Sequence, residues 1–270
     1  MKSLINKNVL ITGAGSGIGR LMALYFAEEQ ANIAMVDINK QALEKVEKEV
    51  QQKKVKTASY VCDITDQKNV AQTAAQFRKD LGSIDVLVNN AGTVVGKSFS
   101  DLTIDEMRRT MDINYWGHIY FTKEFIRDMM AKKSGAIVHV ASSSGLLGMP
   151  SLSDYAASKF AEVGFTESLR RELKKTGYKD ISVTVVCPYY INTGMFKGSK
   201  PLVFNPFLEP EYVAKKIVNA VKKSKPILML PAFNMYSTML MKLLPPGIFD
   251  TILKLSGGMD SMDSFTGRKS

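Results

Sequence analysis

The sequence predicts an α/β fold, a doubly wound seven-stranded parallel sheet with helices on both faces. Three observations carry that expectation. Seven short runs rich in Val and Ile alternate with helix-length amphipathic stretches along the chain. The runs are too continuously apolar to face water on one side, so helices must cover both faces. No repeat, low-complexity stretch or linker interrupts the alternation, so residues 1–270 are expected to form a single domain, with an apolar C-terminal extension from about residue 226.

In order along the chain, Met1 to Lys7 leads almost directly into the first strand, Val9–Ile11. That short lead gives the expectation of no signal peptide and no N-terminal membrane anchor. A helix over Ile18–Gln30 precedes a strand at Ile33–Val36. A helix over Lys40–Lys53 precedes a strand at Thr57–Val61. A helix over Gln67–Leu81 leads to a strand at Val86–Val88, and one long helix is expected over Ile104–Lys132. The strand Ile137–Val140, helix Asp154–Thr176, strand Val183–Val186, helix Pro210–Lys223 and strand Ile227–Leu230 complete the pattern. The tail is apolar and rich in Met, carrying Phe233, Tyr236, Leu243, Leu244, Phe249 and Leu253. Asn234, Lys242, Pro245, Pro246 and Asp250 interrupt it, so no run reaches the ~18 apolar residues of a spanning helix.

Composition narrows the function classes. The chain is 45% hydrophobic and 23% charged, with a formal charge of +10 from lysine pairs and triplets spread along it. Such a charge fits a soluble basic surface, or attraction to an anionic membrane or acidic ligand. No nucleic-acid partner is expected, because the basic residues are not interleaved with aromatics in a reading motif. Cys62 and Cys187 are far apart, each at the end of an apolar run. They read as buried structural thiols, with no metal-ligand spacing, no haem motif and no sign of an oxidising compartment. A cytoplasmic protein is expected, with the tail either packing against a second subunit or the core or meeting a membrane surface through a basic fringe of Lys222, Lys223, Lys225, Lys242 and Lys254.

Thr12-Gly13-Ala14-Gly15-Ser16-Gly17-Ile18-Gly19 lies between the first strand and the first helix. Glycines there allow a tight turn and let a pyrophosphate approach the backbone, and the helix N-terminus offers N–H groups to phosphates. Gly13, Ser16, Gly17, Ile18 and Gly19 are therefore candidate cofactor residues. Any tight strand-to-helix turn can need glycine; the flanking strand and helix make this one a dinucleotide fingerprint, the Rossmann arrangement. The second strand ends at Asp37, about 18 residues past Gly19. A carboxylate there can accept from both adenosine ribose hydroxyls and would repel a 2′-phosphate. With no Arg or Lys in the turn, NAD is expected over NADP. The alternative for Asp37 is a helix N-cap or loop carboxylate.

Tyr155-Ala156-Ala157-Ser158-Lys159 opens a strongly helical stretch, and a spacing of four puts Tyr155 and Lys159 on one face. A free tyrosine, with a pKa near ~10, is a poor base at neutral pH. A neighbouring ammonium favours the phenolate, and reaching a pKa of about 7 needs roughly 4 kcal/mol of differential stabilisation. A Tyr four before a Lys also occurs on ordinary helix surfaces, so the pair acquires meaning only in company.

That company is present, and along nearly its whole length the chain resembles the short-chain dehydrogenase/reductase family. The glycine turn matches the family's Thr-Gly-x-x-x-Gly-x-Gly pattern, Asp63 its aspartate after the third strand, and Asn89-Asn90-Ala91-Gly92 its motif after the fourth. Asn114, within Asp112-Ile113-Asn114, matches the catalytic asparagine. Ser142 stands thirteen residues before Tyr155, the family spacing, with Gly145 following. The resemblance implies that Tyr155 exchanges the proton with the substrate oxygen, Lys159 lowers its pKa and bonds the nicotinamide ribose, and Ser142 polarises the substrate. It implies that Asn114 bends its helix and retains a water, and that Thr193 anchors the carboxamide. Asp63, Ile64, Asn90, Ala91, Gly92, Pro188 and Ile191 would complete the cofactor site. No metal is implied. His118 and His139 read as packing or hydrogen-bonded core residues.

One departure is plain: the family usually has Pro-Gly after the sixth strand, and this chain has Pro188-Tyr189. Cys187 to Phe196 and the late Met262-Asp263-Ser264-Phe265 look most like the retinol and 17β-hydroxysteroid dehydrogenase branch. That implies a lipophilic alcohol, ketone or aldehyde as substrate and a homodimer or homotetramer as assembly. Met195, Phe196, Leu202, Val203, Phe204, Phe207 and Leu208, punctuated by Gly198 and Pro201, suit a mobile substrate lid or the ordinary packing of a long loop. Tyr189 and Tyr190 could line the same pocket. The alternatives are an NADP-dependent 3-oxoacyl-thioester reductase and a non-catalytic, membrane-associated nucleotide-binding protein.

Overall fold

The computed structural model describes residues 1–203 and 205–267, without the side chains of Asn234, Met235 and Thr238. Phe204, expected in the lid, lies outside the described residues. Seven strands form one parallel sheet: β1 (Asn8–Thr12), β2 (Asn32–Asp37), β3 (Thr57–Val61), β4 (Val86–Asn89), β5 (Gly135–Val140), β6 (Ile181–Pro188) and β7 (Ile227–Leu230). Their spatial order is β3-β2-β1-β4-β5-β6-β7. The chain winds outward from β1 to one edge, then returns to β4 on the other side of β1. This reversal opens a crevice at the carboxyl ends of β1 and β4, where such sheets bind ligands.

Helices α1 (Gly17–Glu28), α2 (Lys40–Gln51) and α3 (Gln67–Leu81) follow the first three strands. Alternate residues along each strand serve opposite faces. Val9, Ile11, Ile33, Met35, Val86 and Val88 pack with Met22 and Phe26 of α1 and Leu43 of α2. Leu10, Ala34, Val36 and Leu87 pack on the other face with Phe77 of α3. The edge strand β3 is only half-buried along Thr57–Tyr60, because it has a neighbouring strand on one side alone. Asn39 caps α2 by accepting from the Ala42 N–H at 3.0 Å, a contact contributing about 1 kcal/mol.

The long helix expected over 104–132 is three pieces. Helix α4 (Ile104–Met111) opens on a capping box between Thr103 and Glu106. A π-helical turn over Asp112–Trp116 comes next, and α5 (Gly117–Ala131) continues from it. The interruption has a local cause. Asn114 is fully buried, its Oδ1 accepting from Thr93 N at 2.8 Å and its Nδ2 donating to Thr93 O at 3.0 Å. Drawing that side chain onto the neighbouring loop widens the turn that carries it.

Helix α6 (Ser153–Lys175) and helix α7 (Pro210–Lys222) flank β6 in sequence, and the other described helices agree with expectation within two residues at each end. After β7 the tail forms α8 (Ala232–Met241) and α9 (Pro246–Leu255). The apolar extension expected from about residue 226 thus begins with a strand of the sheet, and only the residues after β7 lie outside it. Residues beyond α9 then fold back on the 197–203 loop. Lys200 N donates to Ser261 O at 2.7 Å, Val203 N to Ser256 O at 3.0 Å and Thr266 N to Lys197 O at 2.8 Å. The segment read as a free lid is therefore strapped down by the C-terminal residues.

Candidate active site

The first βα turn builds the nucleotide end of the crevice. Gly13 has φ +65°, and a Cβ there would lie 2.8 Å from Ala91 Cα. A Cβ on Gly19 would lie 2.0 Å from the Gly13 carbonyl oxygen. Both positions therefore require glycine, and the turn presents bare backbone to the cleft. Ser16 stands at the N-cap of α1. Asp37, at the end of β2, accepts from Gly15 N at 2.9 Å and from Asn39 N at 2.9 Å. The alternative of Asp37 as the α2 cap is excluded, since Asn39 fills that place.

The loop after β4 closes the middle of the cleft. Thr12 Oγ1 accepts from Asn90 N at 2.9 Å and Ala91 N at 3.1 Å, while Asn90 Nδ2 donates to Thr12 O at 2.9 Å. Asn90 thus braces the glycine turn. Asp63 holds its own loop by accepting from Thr65 N at 2.9 Å. Gly13, Ser16, Gly17, Ile18, Gly19, Asp37, Asp63, Ile64, Asn90, Ala91, Gly92, Pro188, Ile191 and Thr193 all line one cleft of about 750 Å³, together with Ser142, Tyr155 and Lys159. Bare glycine backbone at one end and a fixed carboxylate beside it fit the pyrophosphate and ribose of a dinucleotide.

Tyr155 and Lys159 lie one turn apart on α6 and both are buried. The Lys159 ammonium sits 5.9 Å from the centre of the Tyr155 ring. It donates to Val140 O at 2.8 Å and to Glu162 Oε2 at 2.8 Å. Ser142 comes directly after β5, and its hydroxyl accepts from Ser144 N at 3.1 Å. The expected lowering of the Tyr155 pKa is not the net outcome in this structure. Burial pushes the hydroxyl up, Lys159 and Ser142 pull it down, and Glu162 adds to the rise. Burial wins, because the phenolate loses more hydration than one lysine and one hydroxyl restore. Asn114 does not line the cleft. It lies beneath, where Nδ2 also donates to Ser158 Oγ at 3.0 Å and Ser158 in turn donates to Tyr155 O at 2.7 Å.

The far end of the cleft is aromatic and apolar. Tyr155, Tyr189, Tyr190, Phe196, Leu152 and Met262 form one buried cluster, of which Tyr155, Tyr189 and Phe196 line the cleft, whereas Tyr190, expected there too, does not. Tyr190 stacks on Tyr189 and on Phe196, each with ring centres 4.7 Å apart. Tyr189, standing where a glycine was expected, uses its hydroxyl to accept from Leu202 N at 2.8 Å. The departure from Pro-Gly thus ties the end of β6 to the loop over the substrate side.

Glu162 carries no mark in the sequence that singles it out. It is buried on α6 three residues after Lys159 and accepts from that ammonium. Its other oxygen lies 2.5 Å from His118 Nδ1. The only signal is a spacing of three on one helix face, which ordinary surface ion pairs share. His118 and His139 are buried as expected, and Cys62 and Cys187 are buried and free.

Comparison with known proteins agrees with this geometry. A family model described as short chain dehydrogenase matches residues 7–201. Epidermal retinol dehydrogenase 2 of Homo sapiens is 38% identical over 272 residues, spanning 99% of this chain and 88% of the relative. Retinol dehydrogenase 10-B of Danio rerio is 38% identical over 276 residues, spanning 93% and 81%. Among solved structures, an NAD+-bound xylitol dehydrogenase is 30% identical with a TM-score of 0.75, covering 84% of this chain and 98% of its own. A short chain dehydrogenase/reductase from Burkholderia phymatum in complex with NAD has a TM-score of 0.83 at 22% identity, over 96% and 99% of the two chains. That last likeness is one of fold.

Proposed function

This chain belongs to the short-chain dehydrogenase/reductase family, oxidoreductases acting on CH–OH groups with a nicotinamide cofactor, and we propose that it is an NAD-linked dehydrogenase of a lipophilic alcohol and its ketone or aldehyde, retinol- or hydroxysteroid-like. The carrying observation is a single cleft with Asp37 at one end and Ser142, Tyr155 and Lys159 before an aromatic wall at the other. Asp37 supports NAD, because its carboxylate would repel a 2′-phosphate. The wall of Tyr189, Met195 and Phe196 supports an apolar substrate body, and two retinol dehydrogenase relatives point the same way.

The cofactor, when bound, accepts or supplies the hydride. Around it, Ser142 holds the substrate oxygen beside the Tyr155 hydroxyl. Tyr155 takes the hydroxyl proton during oxidation or gives one during carbonyl reduction. Lys159 has three ammonium protons, of which Val140 and Glu162 take two, leaving one for the cleft. Asn114, through Ser158 and Thr93, holds α6 against the loop after β4. Turnover with NAD and with NADP, across retinol, steroid and fatty-alcohol panels, tests the reading. A strong NADP preference, as a 3-oxoacyl-thioester reductase would show, overturns the cofactor assignment. Tyr155→Phe should keep NAD binding and lose at least 10²-fold in turnover; surviving turnover overturns the proton-transfer assignment and turnover absent from the intact protein favours the non-catalytic alternative.

The surface supports peripheral contact with a membrane holding such substrates. Helices α8 and α9 and the turn between them leave Phe233, Tyr236, Leu240, Leu243, Ile248 and Leu255 exposed. No helix among the described residues is long and apolar enough to cross a membrane. Lys222, read as part of the basic fringe, is instead paired with Glu29 at 2.7 Å, and Lys242 donates to Leu146 O at 2.6 Å. A homodimer or homotetramer is supported by exposed Ile104 at the start of α4 and exposed Trp116 in the π turn, and light scattering tests it; a monomer at every concentration overturns it.

A further inference from the structure

Behind Lys159 lies a buried charged cluster that the proton-transfer scheme does not use. Glu162 joins three structural pieces. Its Oε2 accepts from Lys159 on the same helix, and its Oε1 faces His118 Nδ1 on α5 at 2.5 Å. The other ring nitrogen of His118, Nε2, lies 2.7 Å from the carbonyl oxygen of Ala91, in the loop after β4 that closes the middle of the cleft. Both nitrogens of His118 therefore face oxygen atoms, of a carboxyl group and of a carbonyl, and Glu162 stands between the Lys159 ammonium and the His118 ring. The side chains of Glu162 and His118 are each 1% exposed, so water screens none of this.

From β5, His139 also faces Glu162, its Nδ1 lying 3.8 Å from Oε1 without a hydrogen-bond partner. Burial pushes the His139 imidazole down, against the pull of Glu162. From β6, Cys187 is the remaining titratable neighbour, and burial and Glu162 both push its thiol up, to about 12. Around Tyr155 itself stand Lys159, Ser142, Glu162 and Tyr190. Ligand atoms of His118, His139 and Glu162 lie within 4.8 Å of one another, a spacing a metal could use. The Lys159 ammonium already occupies the second oxygen of that one carboxylate, so a metal would place a further cation against Lys159 and His118. The charges favour a closed ion-pair network.

We propose that Glu162 is a positioning residue that sets the working pH of Tyr155, by holding the Lys159 ammonium on the Val140 carbonyl and offsetting part of its field at the phenol. The inference rests on the proposed proton-transfer role of Tyr155 and Lys159. Lysine draws the Tyr155 proton off, and the carboxylate behind it opposes that effect. The His118 link fixes the carboxylate to the backbone of the cofactor loop, so the position of Lys159 is coupled to Ala91. A helix-surface ion pair would be screened and would do none of this.

The test is the pH dependence of kcat for alcohol oxidation with saturating NAD. Glu162→Gln removes the opposing charge, and the acid limb of the profile should move down by about one pH unit. Glu162→Asp keeps the charge and should keep the limb near its original place. If the Gln variant fails to fold, Glu162→Ala carries the same expectation, the space left admitting water around the Lys159 ammonium. An unmoved or upward-shifted limb in a folded neutral variant overturns the proposal. Tyrosinate absorbance of the NAD-saturated protein, taken as the difference from its Tyr155→Phe counterpart, reads the same ionisation without substrate. A downward move of that ionisation in the neutral variant supports the proposal even if no alcohol is turned over, the result that would instead sink the dehydrogenase reading; no move overturns it.

Discussion

Tyr155 is buried among Leu152, Tyr190 and Phe196, and the cost of burying its charged form exceeds the pull of Lys159 and Ser142. The direction of that shift has a kinetic consequence. Oxidation needs the phenolate, so its rate should climb as pH rises above neutrality towards the raised pKa. Carbonyl reduction needs the protonated phenol and should hold its rate over the same range. Initial rates in both directions between about pH 6 and pH 10 check this, and oxidation falling with pH would contradict it. Asp37 carries the second prediction at this scale. Its carboxylate is fixed by two backbone N–H groups, of Gly15 and Asn39. Asp37→Ala should cut the NAD over NADP preference by about tenfold or more, the loss of roughly 1.4 kcal/mol of charge-assisted hydrogen bonding and repulsion. Ratios of kcat/KM measure it.

At the scale of elements, the turn between β1 and α1 and the π turn before α5 position the site. Gly19→Ala would press a methyl into the Gly13 carbonyl. The strand-to-helix turn would have to open, and NAD affinity should fall at least tenfold with a modest loss of Tm. The π turn depends on the Asn114 carboxamide, which bonds both backbone groups of Thr93 and the Ser158 hydroxyl. Asn114→Ala leaves Thr93 N and O without those partners, a cost of about 1–3 kcal/mol for each buried polar group left unmatched. Lower Tm together with reduced kcat is expected, and unchanged values of both would refute the positioning role. Asn114 is legible in the sequence by its place in a motif, yet the apolar periodicity predicts one long helix through it. A π turn shifts the register by a single residue within otherwise unbroken helix, a change too short for hydrophobic spacing alone to mark.

For the whole molecule, two consequences concern stability and surface. Burial alone would raise the Glu162 carboxyl, but Lys159 and His118 hold it far below its ordinary value of 4.5. A depressed carboxylate stabilises the fold above that ordinary value, and the contribution is lost as pH falls towards the folded pKa. Glu162→Gln should therefore lower Tm at pH 7 and show a smaller but still measurable deficit at about pH 3, as melting curves at the two pH values would show. On the surface, replacing Phe233, Leu240 and Leu243 together by Ser should abolish flotation with anionic vesicles. Those side chains are exposed, and the sheet ends at β7 before them, so the fold survives the change. An intact protein that never floats overturns the membrane reading.

Much of this protein was legible as sequence because its signals are local. The alternation of apolar runs and helices determined the seven strands and their wrapping, glycine spacing marked the nucleotide turn, and a spacing of four brought Tyr155 and Lys159 onto one face. The features that the tertiary structure alone decided depend on partners distant in sequence. The C-terminal residues strap the substrate loop through bonds such as Lys200 to Ser261. Tyr189 ties the end of β6 to Leu202. Glu162 meets His118 across 44 positions and becomes a buried ion behind the proton-transfer pair. The reason is physical: periodicity reports which face a residue takes, whereas the charge and pKa it carries there are set by neighbours and by lost hydration, which exist only once the chain has closed around them.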